Sequence, residues 1–313
     1  MVPKTFKGHG MEKRKGRNDG TFGTLYVVST PIGNMEDITL RALKVLKAVA
    51  LIAAENAAHT KRLCGHYGIK TRLTSVNQHN QKIRAPRLIK RLESGHDVAM
   101  VTNAGTPAIS DPGIYVINLA AKRNIKITPV PGASAVIAAL SVAGLPAEGF
   151  VFLGFLPNRP GKRKKTLAEL VAEPRTMVFF EAPHRIRATL TDLRKILGDR
   201  QMVMLREMTK VYEEVNRGPA SAMLAHLKSD RIRGEFTLVV AGAGRDGEEA
   251  QALSEAVVCR MEELLVEKKM GIKDIANLLS KEEGVPYRQI YRECLAKKKD
   301  LGAVERHEVG QKA

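Results

Sequence analysis

Apolar residues fall into two textures that alternate along most of the chain. Short continuous runs at 25–30, 50–54, 97–101 and 125–130 have the length and β-branched content of strands buried on both faces. Between them apolar residues recur at helical spacing, as at Leu40, Leu43, Leu46 and Val49, with Asp37 positioned as a helix cap. This alternation predicts βαβ units and a mainly parallel sheet over 24–149. Further strands at 150–155, 176–180, 202–205 and 236–240, with helical patterns near His184 and Ala220, predict a second α/β domain over 150–242. Residues 156–166 carry five Lys or Arg and read as a flexible basic loop. A polar, Gly-rich linker leads into a helical module over 243–313. There Val257, Met261, Leu264 and Leu265 share one face, and Ile272, Ile275, Leu278 and Leu279 share the next. Ile290, Tyr291 and Leu295 are expected to close its core, and Arg288, Arg292, Lys297, Lys298 and Lys299 to meet phosphate or a protein contact. The first 23 residues are basic and poor in apolar side chains, as in a disordered arm.

Composition narrows the partners. The formal net charge is +18, which favours a polyanion and above all nucleic acid. Only 4% of residues are aromatic and there is no Trp, so the cores must be aliphatic. Cys64, Cys259 and Cys294 are too sparse for a disulfide framework or zinc spacing, and His59, His66 and His79 show no metal-site pattern. No metal is expected, and the thiols fit a reducing cytoplasm. The apolar stretch 133–145 is too short to cross a membrane, and no signal peptide is visible.

One loop stands out. The run 101–113 (VTNAGTPAISDPG) joins a buried strand to a helix and holds two glycines and two prolines. Ligands of open α/β sheets sit beyond the carboxyl ends of strands, on loops of this kind. Gly105 admits close backbone approach, Pro107 and Pro112 stiffen the loop, and Thr102, Asn103, Thr106, Ser110 and Asp111 supply short polar groups. The Lys-Ser/Thr ending of a phosphate-binding P-loop is missing. The pattern suits an uncharged polar ligand such as a nucleoside, and equally an ordinary polar connection.

Five blocks in order carry a resemblance: 25–41 (LYVVSTPIGNMEDITLR), 101–113, 129–146 (PVPGASAVIAALSVAGLP), 179–185 (FFEAPHR) and 206–210 (REMTK). Together they resemble the ribosomal RNA small subunit methyltransferase I family, within the tetrapyrrole-methylase-like enzymes that use S-adenosylmethionine (SAM). The resemblance implies two α/β domains with SAM in the cleft between them, and a homodimer. It implies 2′-O-methylation of a cytidine ribose in the decoding region of small-subunit rRNA, presented as RNA or as the assembled subunit. Two other readings stay open: a precorrin or uroporphyrinogen methyltransferase, and a non-catalytic RNA-binding relative.

Carried over by position, the SAM contacts would be Pro31, Ala104, Gly105, Thr106, Ile109, Ser134 and Ala135, with Glu181 and Met208 from the second domain. The family usually has Glu-Asp-Thr-Arg-His-Thr where this chain has Glu55-Asn56-Ala57-Ala58-His59-Thr60, and an Asp where it has Asn103. An aromatic-His-Glu-His-Asn-like run is replaced by Val76-Asn77-Gln78-His79-Asn80. These departures bear on RNA contacts and rate more than on SAM. Because the methyl donor is already electrophilic, catalysis is mostly alignment, helped by a base or cation at the nucleophilic oxygen. Glu36, Glu55, His184 and Lys210 lie on strand-end loops and are the candidates, Glu55 doubling as a partner for the helix that follows it. Arg159, Lys162, Arg163, Lys164, Lys165 and Arg185 are expected to meet RNA phosphates.

Overall fold

The computed structural model describes residues 22–227, 232–243, 254–266, 270–283, 290–291, 293–295 and 297. Most of the expected basic arm, most of the linker and the basic positions Arg288, Arg292, Lys298 and Lys299 lie outside these. By packing, the chain divides into a larger unit that holds both sheets and a smaller one comprising residues 172–174 and the chain from 241 onward.

Within the larger unit the first sheet contains β1 (Leu25–Val28), β2 (Leu51–Ala54), β3 (Leu73–Ser75), β4 (Val98–Val101) and β5 (Ile127–Val130). All pairs are parallel, in the order β3-β2-β4-β1-β5. Helices α1 (Leu40–Ala48) and α2 (Ala57–His66) cover one face, where Val28, Ile52 and Val101 meet Leu46 and Leu63. Helices α3 (Gln81–Glu93) and α4 (Ile114–Lys122) cover the other, where Leu25, Val98 and Met100 meet Leu88, Leu92 and Val116. Burial on both faces explains why these strands read as unbroken apolar runs. Helix α1 is capped by Thr39, whose side chain accepts from the Ala42 N–H, and not by Asp37 as expected. Asp37 instead ends a 3-10 turn capped by Asn34.

After β5 comes α5 (Ala135–Ala143), and then the second sheet: β6 (Phe150–Phe155), β7 (Thr176–Glu181), β8 (Gln201–Arg206), β9 (Glu214–Pro219) and β10 (Phe236–Val240), ordered β6-β7-β10-β8-β9. Only β6 and β7 pair in parallel. Alternate side chains go to opposite faces. Met177, Phe179, Met202 and Met204 pack under α6 (Pro160–Glu169), α7 (Ile186–Leu197) and α8 (Ala220–His226). Val178, Val203, Leu205 and Val239 pack under α5. Thus α5, which follows the last strand of the first sheet, buries its Val136, Ala139, Leu140 and Ala143 against the second sheet and ties the two together.

The loop expected over 156–166 is corrected from residue 160 onward, where α6 begins. Pro160 opens α6 at a position where its missing N–H costs nothing, and the helix buries Leu167 and Arg163. In the smaller unit α9 (Glu255–Val266) and α10 (Ile272–Glu283) form a core from Met261, Leu264, Ile275, Leu279, Ile290 and Cys294. Cys294 occupies the place expected of Leu295, which is 41% exposed. No helix among the described residues is long and apolar enough to cross a membrane.

Candidate functional site

The carboxyl ends of the first sheet gather the loops that follow β1, β4 and β5, because these three strands are neighbours. Thr30 and Gly105 exchange both backbone hydrogen bonds, at 2.9 and 3.1 Å, in an isolated bridge. Next to it the Ser29 and Thr106 hydroxyls share a hydrogen bond of 2.8 Å. A Cβ on Gly132 would stand 3.0 Å from the Ser29 Cβ, so the turn after β5 lies directly on the end of β1. Gly105 has φ +70°, with nothing nearer than 3.7 Å to the place of a Cβ. Its glycine is required by backbone conformation, not by crowding. Its backbone groups are already engaged by Thr30, which corrects the expectation that they lie open to a ligand. Ala108 has φ +69°, an uncommon conformation for a residue with a side chain, held by the stiff loop around it.

The SAM candidates divide on this frame. Pro31, Ala104, Gly105, Thr106, Ser134 and Ala135 come together at the ends of β1, β4 and β5. Ala104 is exposed, and Ile109 leaves 62% of its surface open, an apolar patch on an otherwise polar loop. Met208 joins them because the first loop docks on the second sheet's 206–210 turn. The Asn34 N–H donates to Thr209 Oγ1 at 3.0 Å, and a Cβ on Gly33 would collide with the Met208 carbonyl at 2.8 Å. Glu181 does not offer its side chain. That side chain is fully buried, accepting from the Ala182 N–H at 2.8 Å and Thr189 Oγ1 at 2.5 Å, with Arg185 Nε at 3.1 Å. A buried carboxylate this well paired is a structural group, so the side chain of Glu181 is not available for the expected SAM contact. What remains is a cradle of small residues with short hydroxyls and one exposed apolar side chain. That donor set fits the adenosine and methionine portions of SAM.

Beside the cradle, across the same loop, lies a cavity of about 580 Å³ at the ends of β2, β3 and β4. That is within the roughly 300–1,000 Å³ of small-ligand sites. Glu55, Asn56, Asn77, His79, Asn103 and Asp111 line it. Glu55 Oε2 accepts from the Asn103 N–H at 3.1 Å. Asn56, and not Glu55, caps α2, accepting from the N–H groups of Ala58 and His59. An amide therefore supplies the cap of α2. The Asn103 side-chain oxygen is buried with no hydrogen-bond partner among the described residues. Burial and then the charge of Glu55 push the Asp111 carboxyl up to about 6. Asp111 was visible in the sequence only as a polar loop residue. Its neighbour Glu55 sits on a different loop, and pairing the two requires the sheet order.

Of the catalytic candidates, only Glu55 lines this cavity. His184 is exposed in the turn before α7. Burial pulls the Lys210 ammonium down, but its hydrogen bonds to Glu207 and Glu235, both 2.9 Å, outweigh this and hold its pKa above the ordinary lysine value. Lys210 is thus no base. Glu36 is exposed on the first loop.

The expected RNA contacts also divide. Arg159, Lys162, Lys164 and Lys165 are exposed. Arg163 is 5% exposed and bonds Asp192 through Nε at 2.8 Å and Nη2 at 2.7 Å, so it is corrected from a phosphate ligand to a buried ion pair. Arg185 is engaged by Glu181 and by the Leu156 carbonyl, and is likewise corrected. Among the described residues no group of three His, Cys, Asp or Glu is placed to hold a metal ion.

Known proteins match this architecture. The family model of tetrapyrrole (corrin/porphyrin) methylases matches residues 24–224. A Pseudomonas aeruginosa protein called ribosomal RNA small subunit methyltransferase I is 42% identical over 87% of this chain and 97% of its own length. A Bacillus subtilis protein of the same name is 39% identical over 88% and 94%. Among solved structures, a cobalt precorrin-4 methyltransferase superposes with TM-score 0.54 at 18% identity, covering 70% of this chain and 94% of that one. Diphthine synthase superposes with TM-score 0.52 at 16% identity, covering 70% and 90%. At such identities the structures share the fold alone. The relatives do more: this chain belongs to the ribosomal RNA small subunit methyltransferase I family of the tetrapyrrole methylases.

Proposed function

We propose that this protein transfers the methyl group of SAM to the 2′-oxygen of a cytidine ribose in small-subunit rRNA, at the decoding region. The observation that carries the reading is the polar cavity lying against the SAM cradle on one loop, large enough for a nucleotide and lined by groups that match its edges. The orphan Asn103 oxygen supports a cytosine, whose exocyclic amine is a donor. The +18 charge supports a polyanionic substrate.

SAM, when bound, supplies an electrophilic methyl group. Pro31, Ala104, Gly105, Thr106, Ile109, Ser134, Ala135 and Met208 would hold it. The protein's part is to place the ribose and take a proton. Asp111 is the base in this reading: its pKa near 6 leaves it charged at neutral pH yet basic enough to accept the hydroxyl proton. Glu55, held by the Asn103 N–H, lies beside it in the same cavity. Lys162, Lys164 and Lys165, with Arg159, support contact with RNA phosphates. The division into an α/β domain over 24–149, another over 150–242 and a helical module from 243, with two copies assembling as a homodimer, belongs to the same proposal.

The test offers labelled SAM with purified small subunits in one arm and uroporphyrinogen in another. Label entering the rRNA supports the reading. Label in the tetrapyrrole alone would replace it.

A further inference from the structure

At the open edge of the first sheet, away from the SAM cradle, a second concavity of about 300 Å³ lies between β3 and α3. Its rim consists of Arg72, just before β3, and Arg84, Arg87 and Arg91 on α3. The three helical arginines stand at i, i+3 and i+7, so they lie along one side of the helix over roughly 10 Å. All four are exposed. None of the four guanidinium groups has an ion pair or hydrogen bond among the described residues. The one acid on α3, Glu93, is already bonded to Arg123 at 3.1 Å. Four unneutralised guanidinium groups around one groove repel one another, and folding alone gives no reason to gather them.

The groove and the cavity share strand β3 and the connection from β3 to α3. Ser75 of β3 lines the cavity while Leu73 and Thr74 line the groove, and His79 lines the cavity two residues before α3 begins. A strand leaving the cavity along α3 therefore meets Arg84, Arg87 and Arg91 in turn. Arginine's planar fork suits phosphate oxygens. We infer that Arg72, Arg84, Arg87 and Arg91 form a track for the RNA phosphodiester backbone, seating the nucleotides beside the one in the cavity. This rests on the RNA reading proposed above. It reads charge and spacing and no base, so its contribution is sequence-independent.

The test uses the full chain with all four arginines changed to Gln, and a second variant with all four changed to Lys. Both are checked by circular dichroism against the parent. Binding of fluorescent polyuridylate is measured across salt concentrations, with polyglutamate as the competing anion. The Gln variant is expected to lose affinity and to flatten the salt slope by roughly 2–3, about 0.7 per phosphate released. The Lys variant, which keeps the charge, is expected to retain most of the slope while losing part of the affinity. Unchanged polyuridylate binding by a folded Gln variant would overturn the inference. Polyglutamate competing as well as polyuridylate would also overturn it, in favour of an acidic protein partner. Methyl transfer to small subunits is scored separately. A parent that shows the arginine-dependent slope but methylates no subunit refutes the proposed function and leaves the track. A parent that methylates subunits while the Gln variant keeps its slope refutes the track alone.

Discussion

Glu55 and Asp111 arrive from different strand ends to line one cavity, and burial together with the Glu55 charge raises the Asp111 carboxyl to about 6. Methyl transfer should therefore rise with pH through about 6 as Asp111 loses its proton. Asp111→Asn is expected to remove that limb and to lower kcat by roughly 10²–10⁴-fold, the usual worth of a general base. A pH–rate profile of both proteins decides it, and an Asn variant with the parent's profile would exclude Asp111 as the base.

The same shift affects stability. Asp111 holds its proton in the folded protein at pH values where the unfolded chain has lost it, so the folded state binds more protons between about 4 and 6. Its contribution to stability is present below the unfolded value and falls as pH rises through that window. Denaturant midpoints of the parent and of Asp111→Asn should diverge across pH 4–6, with the parent losing ground as pH rises. Parallel curves would contradict the assigned shift.

Gly105 is fixed by its φ of +70° and by the double hydrogen bond to Thr30. Asn tolerates left-handed backbone better than other residues with a side chain, and a β-branched residue tolerates it worst. Calorimetry with SAM is expected to rank the parent first, Gly105→Asn second and Gly105→Val last, with far-UV circular dichroism preserved. Equal affinities for all three would remove this loop from the SAM site.

Arg163 and Lys165 carry the same charge in opposite surroundings, one buried on Asp192 and the other exposed. Arg163→Ala leaves Asp192 buried without its main partner and should cost roughly 3–5 kcal/mol of stability. Lys165→Ala, at an exposed position, should stay within about 0.5 kcal/mol of the parent. Chemical denaturation compares them. A stable Arg163→Ala variant with weakened RNA binding would instead assign Arg163 to phosphate contact.

A chain ending at Gly242 omits α9 and α10, which have a core of their own. It is expected to bind SAM as the full chain does and to methylate small subunits with a raised KM. Loss of SAM binding would show that these helices complete the methylase fold.

The legible parts of the molecule are those whose physics is local. Runs such as 236–240 are buried strands with apolar residues on both faces, and they read directly. Strand β9 was invisible because Glu214–Pro219 is an edge strand with polar residues, a Gly and a Pro, paired only to β8. The start of α6 reads as a loop in the sequence because the residue it buries with Leu167 is Arg163, and only Asp192, on another helix, makes that burial possible. The loops of the proposed SAM cradle are legible through motif order, since they follow strands that are evident in sequence. The approach of Asp111 to Glu55 is not legible, because only the order β3-β2-β4-β1-β5 makes the ends of β2 and β4 neighbours. The three arginines of α3 are spaced along one side in the sequence, but Arg72 joins them only once α3 packs beside β3.

The reaction proposed for this protein is methylation of a cytidine 2′-oxygen. The most direct measurement incubates the purified protein with small subunits and SAM carrying a deuterated methyl group, digests the rRNA to nucleosides and weighs them by mass spectrometry. Deuterated 2′-O-methylcytidine is expected, abolished or sharply reduced with Asp111→Asn. Deuterium in a base methyl group, or none in the rRNA, would contradict it.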